Sequence, residues 1–74
     1  MNSQREIVEI RGSRDYCDIY FKDGAKLRCW GELLQDRFAI YKSSLVKHGV
    51  NVSTLDSLLK KHIAKNNGFN ITIE

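Results

Sequence analysis

"WGELLQDRFAIYKSSLVKH", residues 30–48, is the stretch on which the fold turns. Its apolar residues fall at Trp30, Leu33, Leu34, Phe38, Tyr41 and Leu45, largely in steps of three and four. That is the period of one helix face. The spacing predicts a helix from about Glu32 to His48, closed by Gly49 after the basic pair Lys47 and His48. "FAIY", residues 38–41, also reads as a short strand and is the competing assignment.

The period is different on the N-terminal side of this stretch. "YCDIYFKDGAKLRCW", residues 16–30, alternates around a Lys22–Asp23–Gly24 turn signal. Asp-Gly usually marks a two-residue hairpin loop. That register would mix apolar and charged residues on each face. A three-residue loop with left-handed Gly24 sorts them instead. Phe21 then faces Ala25, Ile19 faces Leu27 and Cys17 faces Cys29, all inward. Tyr20 pairs with Lys26 and Asp18 with Arg28 outside. "EIVEIR" adds an earlier strand from about Arg5, with Val8 and Ile10 inward and Glu9 and Arg11 outward. Gly12 to Asp15 connects it to the hairpin.

On the C-terminal side, Ser53 is the expected N-cap of a second helix, with Asp56 in its first turn. Leu55, Leu58, Leu59, His62 and Ile63 form its apolar stripe, and "NNG" ends it. "FNITIE", residues 69–74, alternates as a half-buried strand, with Phe69, Ile71 and Ile73 on one face. The expected fold is α+β in two layers: a three-stranded antiparallel meander, two helices and a C-terminal strand, in the order βββααβ. Residues 1–74 read as a single domain.

Composition sets the bounds on function. The apolar fraction is 42% and the charged fraction 28%, which is the range of a folded globular chain. No apolar run approaches the roughly 20 residues that span a bilayer, and no signal-peptide core follows the N-terminus. The expectation is a cytoplasmic protein with no membrane contact, as a monomer or homodimer. The net charge of +3 is uneven. Residues 1–35 hold six Lys/Arg and six Asp/Glu, whereas residues 36–74 hold six and three.

No constellation announces chemistry. Cys17 and Cys29 stand too far apart for a zinc knuckle, and His48 and His62 have no paired-ligand spacing. The inward register makes the two cysteines buried packing residues. The glycines are scattered, so there is no phosphate loop, and Ser43, Ser44 and Ser53 have no nucleophile motif around them. A non-enzymatic domain with no metal and no cofactor is expected.

Two binding expectations remain. Two helices joined at Gly49 have the outline of a helix-turn-helix. In that reading Thr54, Ser57, Lys61 and Lys65 face a nucleic acid, and Lys42, Lys47 and Lys60 meet its phosphates. The alternative is a small protein-interaction module that regulates or inhibits a larger complex. Its anchors are Tyr16, Tyr20, Lys26, Arg28 and Trp30 on the outward sheet face, residue types frequent at interface centres.

Overall fold

The computed structural model describes residues 6–66 and 68–74. The expected strand start at Arg5, and Asn67 of the "NNG" stop, lie outside them. Strands β1 (Ile7–Gly12), β2 (Tyr16–Phe21) and β3 (Lys26–Leu33) form the antiparallel meander. The β2–β3 register is the one that sorts the faces: Cys17 opposite Cys29, Ile19 opposite Leu27, Asp18 opposite Arg28. Phe21 N–H donates to the Ala25 carbonyl at 2.9 Å. Gly24 closes the loop at φ +91°, in the left-handed region where glycine carries no Cβ penalty. The Asp23 carboxylate accepts from the Ala25 amide at 3.0 Å, which braces the turn.

Beyond Trp30 the expected architecture is wrong. The chain does not enter a helix at Glu32; β3 continues to Leu33 and turns back into β4 (Phe38–Ile40). The turn is tight, with Leu34 N–H donating to the Arg37 carbonyl at 2.8 Å across Gln35 and Asp36. Phe38, Ala39 and Ile40 are all buried, so this strand reads as an uninterrupted apolar run rather than an alternating one. Several residues of the supposed helical stripe are left open: Trp30, Leu33 and Tyr41 are 44%, 50% and 45% exposed.

Only α1 (Lys42–Lys47) is helical in that stretch. It ends where expected. Gly49 sits at φ +72°, its N–H donating to Val46 and the Val50 N–H to Leu45, a Schellman closure. Helix α2 (Val52–Asn66) begins before the expected cap. Asn51, not Ser53, caps it, its side-chain oxygen accepting from the Thr54 amide at 3.0 Å. Asp56 therefore lies past the first turn and pairs with Lys60 at 3.1 Å.

Strand β5 (Ile71–Ile73) runs parallel to β4, which fixes the sheet order as β1-β2-β3-β4-β5. The sheet has five strands and curls into a half-barrel, not a three-stranded meander with a strand appended. Two helices and a C-terminal strand in an α+β fold stand as expected. Helix α2 packs against β5 at one end of the sheet and β1 at the other. His62 Nδ1 approaches the Ile7 carbonyl at 3.1 Å and Lys65 reaches Glu6 at 3.3 Å. Leu45, Leu55 and Leu59 bury themselves against Ile19, Cys29 and Ile40. Each such aliphatic side chain contributes roughly 1.5–3 kcal/mol.

One further correction concerns β1. Its register shifts between Ile7, opposite Phe21, and Glu9, opposite Tyr20, so Val8 is the extra residue of a bulge. Ile7 is buried and Ile10 partly so, whereas Val8, expected inward, is 53% exposed. The last strand, expected from Phe69, begins only at Ile71; Phe69 precedes it and is 53% exposed, on the same concave side as Ile71.

Candidate functional site

Alternation along β2 and β3 sends every second side chain to the convex face of the sheet. The cross-strand pairs there are Tyr16 with Trp30, Asp18 with Arg28 and Tyr20 with Lys26. All five residues expected as a protein-binding set therefore lie on one face. Tyr16, Arg28 and Trp30 are in direct contact, and Arg11 covers Tyr20 from β1. The rings of Tyr16 and Trp30 meet edge to face, with centroids 5.5 Å apart and planes at 66°. The Arg28 guanidinium stacks over Tyr16 at 4.0 Å and grips Asp18 through two hydrogen bonds, 2.8 and 3.1 Å long.

Asp18 is the one buried charged side chain among the described residues. The Arg28 hydrogen bonds hold its carboxyl below the usual range, against the opposing effect of desolvation. Across β1, Arg11 lies 5.8 Å over the Tyr20 ring and binds Glu9 at 2.6 Å. Both arginines of the array are thus matched to carboxylates and laid on aromatic rings.

Two members escaped sequence reasoning. Arg11 reads as outward, but its place over Tyr20 depends on the β1–β2 register, in which it stands opposite Asp18. The helical period puts Tyr41 in an apolar stripe. Its amide instead donates to the Trp30 carbonyl at 2.9 Å, and alternation from inward Ile40 puts it on the Trp30 side. No signal short of the β3–β4 pairing would have found it.

The residues expected to meet nucleic acid are distributed differently. Thr54, Ser57, Lys61 and Lys65 are exposed and follow one face of α2 at helical spacing. Lys60 is tied to Asp56 and Lys65 to Glu6. Lys42, Lys47 and Lys61 have no ion pair among the described residues. Lys42 and Lys47 open and close α1, which has six residues. A helix of under two turns replaces the long first helix of the expected hairpin.

The cysteines occupy the opposite, concave face. Both are free and buried, at 1% and 0% exposure. The neighbouring Cys29 thiol and burial push the Cys17 thiol well above its ordinary range. Among the described residues, no three His, Cys, Asp or Glu side chains gather where a metal ion would be held. No helix among them is long and apolar enough to cross a membrane. No family model, no curated protein and no solved structure matches the chain.

Proposed function

We propose that the protein is a binding domain whose convex sheet face docks a partner protein, with Tyr16, Tyr20, Arg28 and Trp30 as anchors. The observation that carries this reading is the array itself. Aromatic rings and guanidinium groups are held in place on strands before any partner arrives, which lowers the entropy lost on docking. Their composition is that of interface centres, where aromatic residues and arginine are enriched. Lys26 aside, the cations of the array are neutralised by Glu9 and Asp18. A phosphate backbone rewards unpaired cations; a protein surface rewards desolvated rings with their charges already satisfied.

A second reading places nucleic acid on the helical side. It is favoured by Lys42, Lys47 and Lys61, which are exposed and carry no carboxylate partner among the described residues. One experiment separates the two. The tagged protein is recovered from its native extract with and without nuclease, alongside Trp30→Ala and Lys61→Glu variants. A stoichiometric protein that resists nuclease, is lost with Trp30→Ala and survives Lys61→Glu supports docking on the sheet. Binding to duplex or single strands that weakens steeply with salt and is lost with Lys61→Glu supports the other reading and overturns the first.

A further inference from the structure

The concave side of the half-barrel is not filled to its end. A cavity of about 510 Å³ opens between the C-terminal half of α2 and the strands beside it, reached by side chains of all five strands. Small-molecule sites commonly span roughly 300–1,000 Å³. Two of its lining residues, Leu33 and Phe69, are half exposed although both are large and apolar. Leu33 pairs with buried Phe38, and both line the cavity. Ile10 and Ile63 extend the apolar wall.

Arg14 stands at the rim of this apolar space. Its setting differs from that of the other described arginines. Arg11 binds Glu9, Arg28 binds Asp18, and Arg37 binds Asp36 and Glu74. Arg14 has no carboxylate among the described residues. Its carbonyl accepts from the Leu33 amide at 3.2 Å, which ties this turn to β3 beside the cavity. A guanidinium presents a planar fork of donors that matches a carboxylate at two points.

We propose that this cavity binds an amphipathic carboxylate, with an apolar chain between Leu33, Ile63 and Phe69 and the carboxylate received by Arg14. The chain would cover the apolar surface the fold leaves open, and the head group would supply a counter-ion that Arg14 does not have among the described residues. The site lies on the concave side, away from the aromatic array, and a bound ligand leaves the convex face free.

Decanoate, kept below its micellar concentration, is the probe, and decan-1-ol is its uncharged counterpart. Calorimetric titration should find one decanoate per chain, binding at least about tenfold tighter than the alcohol, as expected for a hydrogen-bonded charge. Arg14→Gln should bring decanoate down to the affinity of the alcohol and leave the alcohol unchanged. Phe69→Ser should weaken both. Equal affinity for the two probes, a preference that survives Arg14→Gln, or uptake that does not saturate at one per chain would overturn the proposal. So would sedimentation showing a dimer that Phe69→Ser dissociates, because a second copy would then fill the cavity.

Discussion

The β2–β3 and β3–β4 hairpins share a strand but turn by different means. The first turns through Lys22, Asp23 and Gly24, with glycine in the left-handed region and Asp23 bracing the loop. The second turns at Gln35 and Asp36, with neither glycine nor proline. The first carries its instruction locally, in the chemistry of one residue. The second depends on what β4 meets after the turn: Gly31 beneath its backbone, β5 on its far edge, and Arg37 held to Glu74 at 2.7 Å. A turn without a local signal is legible only when its tertiary partners are known.

Replacing the glycine of each hairpin should break the comparison most sharply. A Cβ at Gly31 would collide with the Ala39 carbonyl oxygen, Phe38 Cε1 and Ile40 Cα, and two of these are backbone atoms. Gly31→Ala should therefore cost on the order of 3 kcal/mol or prevent folding, because β3 and β4 must separate. Gly24 has open space around it, and only its φ is at stake. Gly24→Ala should cost about 1–2 kcal/mol. Urea unfolding midpoints of both variants check the order. A milder effect at Gly31 than at Gly24 would mean that the close β3–β4 approach is absent in solution.

Smaller effects are expected from the paired cysteines of the legible hairpin. Changing both Cys17 and Cys29 to Ala should lower stability by roughly 1–3 kcal/mol through lost burial and the cavity left behind. In the folded wild type, thiol labelling at neutral pH should run far slower than in urea, since burial removes access and the raised Cys17 thiol supplies little thiolate. Rapid labelling of both in the native state would refute the inward register.

Acid should weaken both hairpins, by way of different ion pairs. Asp18 is held by Arg28 within β2–β3, and Glu74 by Arg37 beside β4. Each carboxyl is depressed in the folded protein, first by its arginine hydrogen bond. A depressed folded value means stability that is fully present above the unfolded values, about 3.9 for Asp and 4.3 for Glu. It is lost as pH falls through the folded values. Unfolding midpoints followed from neutral to about pH 2.5 should fall in that window. Asp18→Asn and Glu74→Gln should each flatten part of the fall, and an unchanged slope in both would dismiss these pairs as its source.

The smallest effect should come from writing the missing signal into the second turn. Gln35→Asn with Asp36→Gly installs a sequence suited to two-residue hairpins. Stability should hold or rise by up to about 1 kcal/mol, since the Asp36 pair with Arg37 is exposed. A clear loss, measured by thermal unfolding, would mean that the turn is not of the two-residue hairpin type.

The amino-acid sequence by itself determined the β2–β3 hairpin with its register and inward cysteines, the end of α1 at Gly49, the stripe of α2 and a last strand around Ile71 and Ile73. Each rests on a local cause: a glycine at positive φ, or a period that matches one buried face. Because Tyr16, Tyr20, Lys26, Arg28 and Trp30 lie on that hairpin, the convex array was legible too, apart from Arg11 stacking and Tyr41. Tertiary structure alone decided β4. Glu32, Leu33, Leu34 and Gln35 favour helix, and the apolar steps from Trp30 agree with them. Pairing with β3 on one edge and β5 on the other outweighs that preference, because it satisfies the backbone of β4 on both sides and buries Phe38, Ala39 and Ile40 together. The same pairing curls the sheet around α2 and leaves the cavity at its end. Propensity acts within a few residues, whereas the partner that overrides it here lies more than thirty residues further along the chain.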